Sequence, residues 1–217
     1  MAEWADARLA RVLELAATPN QLPRRDAVRA AIAEARVAPG RPQLALGSVD
    51  ARDARRLNEK ARTAYWNRND LQAALALQLE AFDANPLDAE IVGNLAFFRM
   101  KQQPPQVDAA RQLALHSLTL PDARYPAGRI EDWITLAITN ALLGRDADAR
   151  KAWYVALTLT PDLTRLRNAG IRAREIYGER LGPSVEAMLQ RAPDAERTDT
   201  SSTPGSAGDD RLARGGS

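Results

Sequence analysis

Two stretches of this chain carry the same side chains at the same spacing. Ala74, Ala81 and Pro86 reappear as Ala149, Ala156 and Pro161, each 75 positions later. Internal repetition constrains a fold more tightly than composition, because every copy must adopt one local structure and bury the same face against its neighbour. Within each copy the small and apolar residues recur three, four and seven apart, the spacing of a single helix face. The most complete copy, residues 132–162, reads DWITLAITNALLGRDADARKAWYVALTLTPD, with Trp133, Leu136 and Ala137 followed by Ala149, Trp153, Ala156 and Pro161.

That order, a Trp with Leu and a small residue three and four later, then Ala, an aromatic, a second Ala and a closing Pro, resembles the tetratricopeptide repeat of about 34 residues. Because 75 is twice 34 plus seven, a third unit with seven extra residues is expected between the two copies. It has Leu95 and Ala96 in its first helix and Ala110 and Ser117 in its second, with the extra residues in the turn at 103–106 and the linker at 121–129. The units then fall at about 55–88, 89–129 and 130–163 of a repeat region spanning 51–162. The first unit has Ala61 and Tyr65 at the leucine and tyrosine positions but departs from the pattern at Asn58, Arg62 and Gln78, and the second departs at Arg99. The resemblance implies an all-α, right-handed α-solenoid of antiparallel helix pairs, in which small residues at the crossings let large ones interdigitate. Asp70 and Asp146 are expected to cap second helices, and Pro105 to open one.

The flanks follow helical rules as well. Residues 1–37 are expected to form a helix pair ahead of the repeats. One stripe is Ala5, Leu9, Val12, Leu13 and Ala16, and the other, opened by Pro23, is Val28, Ala31, Ile32 and Ala35. Residues 38–50, rich in Pro and Gly, read as a connector ending in the capping residue Asp50. Residues 163–192 are expected to cap the array with helices at 163–177 and 183–191, the first of them arginine-rich. In 193–217 Leu212 is the only large apolar side chain, so this tail is expected to be disordered.

Composition narrows the function classes. Alanine dominates an apolar fraction of 45%, and the 30 Lys and Arg are nearly balanced by 28 Asp and Glu. Near-neutral charge without interleaved aromatics argues against nucleic acid. No cysteine is present, and the single His116, expected on the solvent side of its helix, has no second histidine with which to share a metal. The glycines are isolated and form no phosphate loop. The expectation is no enzyme, no metal and no cofactor. The N-terminal stretch carries Glu3 and Asp6 and does not read as a signal peptide, and no run approaches the ~20 apolar residues of a membrane span, so a cytoplasmic location is expected.

What remains is recognition of a protein or peptide. The resemblance implies that the first helix of each unit lines a concave groove, which makes Asn58, Arg62 and Tyr65, then Val92, Asn94 and Arg99, then Trp133 and Asn140 the candidate contact residues. Arg62 and Arg99 suit carboxylates, and Tyr65 and Trp133 supply contact area. Trp133 and Leu136 are also consensus packing positions and weigh more heavily as core. Tetratricopeptide domains that clamp the acidic C-terminus of heat-shock chaperones use two Lys, two Asn and an Arg where this chain has Glu59, Thr63, Asn94, Glu131 and Thr135. Only Asn94 matches, so that clamp is rejected. The alternative is a structural or regulatory segment of a larger assembly, such as a secretion chaperone or the binding region of a multidomain signalling protein, acting through its N-terminal helices or convex face.

Overall fold

A computed structural model describes residues 2–18, 22–37, 50–160 and 163–178, which form helices joined by turns, with no strand among them. The helices are α1 (Ala2–Leu15), α2 (Arg25–Val37), α3 (Ala51–Arg68), α4 (Leu71–Ala84), α5 (Ala89–Lys101), α6 (Val107–Thr119), α7 (Ile130–Leu142), α8 (Asp146–Leu159) and α9 (Leu163–Tyr177). From α3 to α8 every helix packs on the next, so the stretch forms three consecutive helix pairs. The small residues lie at the contacts: Ala61, Ala74, Ala81, Ala96, Ala110, Ala149 and Ala156 are all fully buried. Trp133 and Trp153 fill the space those small side chains leave and are likewise excluded from solvent. The longer segments, 102–106 and 120–129, fall between helices, where additional residues disturb no packing.

Cap chemistry explains most of the boundaries. Asp50 accepts hydrogen bonds from the Arg52 and Asp53 amides, Asp70 from Ala73, and Asp88 from Glu90 and Ile91. Asn69 ends α3 in the left-handed conformation at φ 52°, with the Asp70 amide closing onto Ala64 O. Three expected boundary residues take other places. Pro23 lies ahead of α2 in non-helical chain, and the first helical bond there runs from Val28 to Arg24. Pro105 also precedes its helix, because the Gln106 amide turns back to Arg99 O and leaves Gln106 at the cap position. Asp146 is the first residue of α8 rather than its cap. Gly144 at φ 72° lets the Arg145 amide reach Asn140 O, which places Arg145 at the boundary and Asp146 in the first turn, beside the helix dipole.

The N-terminal pair docks in an unexpected place. Instead of preceding α3 in line, α1 and α2 pack against α6 and α8, the second helices of the last two pairs. Their apolar stripes, including Leu9, Val12, Val28 and Ile32, are buried there. Arginines fasten the contact. Arg111 on α6 donates to both carboxylate oxygens of Asp6 at 2.6 and 3.0 Å and to Asn140 Oδ1 at 2.7 Å. Arg36 on α2 donates to the carbonyls of Leu118, Tyr125 and Pro126, and Arg25 to that of Thr158. His116, expected toward solvent, is buried because the end of α6 packs on the turn before α5, and its Nε2 lies 3.0 Å from Pro86 O. The connector before Asp50, Pro161, the second capping helix at 183–191 and the tail at 193–217 lie outside the described residues.

Candidate ligand-binding groove

The first helices of the three pairs, α3, α5 and α7, share one side of the molecule, and α9 runs beside them as a fourth wall. Between the four lies a groove of about 760 Å³. Two local features allow the walls to approach. Gly93 on α5 faces the Asp132 carboxylate on α7 so closely that a side chain at 93 would overlap it. Tyr177 at the end of α9 donates from its hydroxyl to Met100 O at 2.8 Å, joining α9 to the end of α5.

Asp132 is a buried acid with a defined protonation logic. Its Oδ2 lies 2.6 Å from the Ser117 hydroxyl, which is also 2.8 Å from Ala89 O. A hydroxyl has one proton to donate. If Ser117 gives it to the carbonyl, Asp132 must supply the other hydrogen bond as a neutral carboxyl. Burial pushes the Asp132 pKa up, against the opposing influence of Arg129 and the Ser117 contact, in agreement with that assignment.

The groove has two chemically different ends. At the beginnings of α5 and α7 lie Glu90, Asn94, Arg129 and Glu131. There Arg129 donates to Glu90 O and Asn94 Oδ1, Asn94 donates to Asn58 Oδ1, and Glu90 pairs with Arg124 at 2.9 Å and Arg62 at 3.6 Å. At the other end stands an aromatic cluster. Tyr65 meets Trp66, Phe97 and Phe98 at centroid separations of 4.8, 5.4 and 5.3 Å, and Trp66 stacks on Phe97 at 5.9 Å. Trp66 is 59% exposed, whereas Phe98 is buried. The doublets Tyr65-Trp66 and Phe97-Phe98 each send one ring deeper into the fold and offer one nearer the surface.

The candidate contact residues separate on this geometry. Arg62, Tyr65 and Asn94 line the groove. Trp133 is core, with Nε1 donating to Ala127 O. Val92 is buried against Ala89 and Leu120, and Asn140 is buried beneath Arg111. Asn58 is also buried, and Gln78, which stands where the repeat pattern has an aromatic, donates to Asn58 Oδ1 and Ile91 O. Arg99 contacts Gln102 and does not reach the groove. Trp66, Phe97, Lys101 and the α9 residues Arg172, Ile176 and Tyr177 line it without having been singled out from the sequence. The adjacent aromatic pairs were the available signal for the first two. Among the described residues no group of three or more His, Cys, Asp or Glu side chains is placed to hold a metal ion, and no helix is long and apolar enough to cross a membrane. Compared with known proteins, the chain matches no family model, no curated protein and no solved structure.

Proposed function

We propose that this chain is a tetratricopeptide-like α-solenoid that acts without catalysis, as a scaffold or adaptor holding a segment of another protein in the groove between α3, α5, α7 and α9. The observation that carries this reading is the half-exposed aromatic cluster inside the groove. Trp66 stands 59% exposed beside Phe97, an arrangement that keeps a large apolar surface in water until a partner covers it. The repeated Ala and Pro positions and the serial packing of α3 to α8 support the solenoid part of the reading.

Affinity capture from the source cell tests it, with a double variant of groove residues whose side chains are not core, Trp66→Ala and Ile176→Ala, both more than half exposed in the parent. Wild type should retain partners that the variant loses, at unchanged helical circular dichroism. Identical capture by both proteins would remove the groove as the binding surface.

A further inference from the structure

The aromatic end of the groove also collects positive charge. Lys101, in the last turn of α5, lies 5.1 Å over the Phe97 ring, and Arg172 enters the same space from α9. Arg172 is near enough for its charge to act on both Lys101 and Tyr65. Among the described residues neither Lys101 nor Arg172 has a carboxylate partner. The groove acids stand elsewhere. Glu90 precedes Lys101 by eleven positions on the same helix, a rise of ~16 Å, and is already paired with Arg62 and Arg124. Lys101 and Arg172 repel each other across an apolar floor, and Lys101 is partly desolvated. Burial and Arg172 together lower the Lys101 pKa. An anion placed between them reverses both effects. The phenol of Tyr65 lies in the same region, and Trp66 and Phe97 offer ring surface beside it.

We infer that this end of the groove is a subsite for an acidic peptide segment, in which a carboxylate sits between Lys101 and Arg172 while a neighbouring aromatic or aliphatic side chain covers Trp66 and Phe97. The inference rests on the groove reading above and adds the chemistry of the ligand. It also assigns α9 a part in recognition, since Arg172 belongs to the helix expected only to cap the array.

Binding of fluorescein-labelled peptides to the full chain, followed by anisotropy, tests the subsite. Three probes are used: a short peptide centred on Phe-Asp-Glu-Leu, its uncharged twin with Phe-Asn-Gln-Leu, and a polar twin with Ser-Asp-Glu-Ser. The first should bind about tenfold tighter than either twin, the size of one charge-assisted contact or one buried side chain. Lys101→Gln and Arg172→Gln should each erase the preference for acid over amide, and Trp66→Ala the preference for Phe and Leu over Ser, with helical circular dichroism and thermal midpoint retained. Equal binding of the acidic and amide peptides, persistence of the acid preference in both charge variants, or no binding of any probe overturns the anionic subsite. If the acid preference is present and lost with Lys101→Gln or Arg172→Gln, while Trp66→Ala changes nothing, the charge assignment stands and the aromatic groove reading is the part that fails.

Discussion

Asp132 shows how much a single side chain decides at the junction of α5, α6 and α7. It is buried against Gly93 and bonded to Ser117, and burial raises its pKa because its charged form would have to leave water. The linkage sign follows from the raised pKa. Folded protein keeps the proton over a range in which the unfolded chain releases it, so this residue removes stability as pH rises through and above the ordinary carboxylate range. Asp132→Asn keeps the shape and the hydrogen-bonding capacity of the neutral acid. Urea denaturation across pH should therefore show the variant gaining stability relative to wild type as pH rises from 4 to 8. A difference independent of pH would mean that Asp132 is ionised in the fold. Gln78 makes a related point about legibility. Its departure from an aromatic position was visible in the sequence, but not its purpose, because the Asn58 and Ile91 groups it satisfies are 20 and 13 residues away.

Elements were more legible than their docking. The caps at Asp50 and Asp70, the span of α9 and the apolar stripes of α1 and α2 follow from local periodicity and short-range hydrogen bonding, which one stretch of sequence contains. Where α1 and α2 attach does not, since it depends on long-range partners such as Arg111 with Asp6 and Arg36 with the 120–129 segment. With their apolar faces already buried, these helices behave as part of the core layer, and removing them would expose α6 and α8. Asp6→Ala leaves Arg111, whose side chain is only 10% exposed, without its carboxylate. The expected cost is roughly 1–3 kcal/mol, since a hydrogen-bonded charge is lost from a half-covered site. Denaturant unfolding measures it, and hydrogen exchange should show the loss of protection concentrated in α1. Unchanged stability would show that apolar contact alone holds the N-terminal pair.

Across the molecule, the described residues form helices with no strand among them, and each helix from α3 to α8 packs on its neighbour, with the longer segments 102–106 and 120–129 between helices. The same regularity hid the proposed binding surface. The positions that carry the resemblance, such as Trp133 and Leu136, are consumed by packing, while the groove draws on side chains elsewhere on the same helices and on α9. A pattern that specifies a core says little about the face turned away from it. Partners are proposed to bind on that face, between α3, α5, α7 and α9. Site-specific photo-crosslinking in the source cell tests this placement most directly, with a benzophenone side chain placed in turn at Trp66 in the groove and at Glu80, exposed on α4 outside it. A discrete crosslinked partner is expected from position 66 and none from position 80. A partner trapped from position 80 but not from 66 would contradict it.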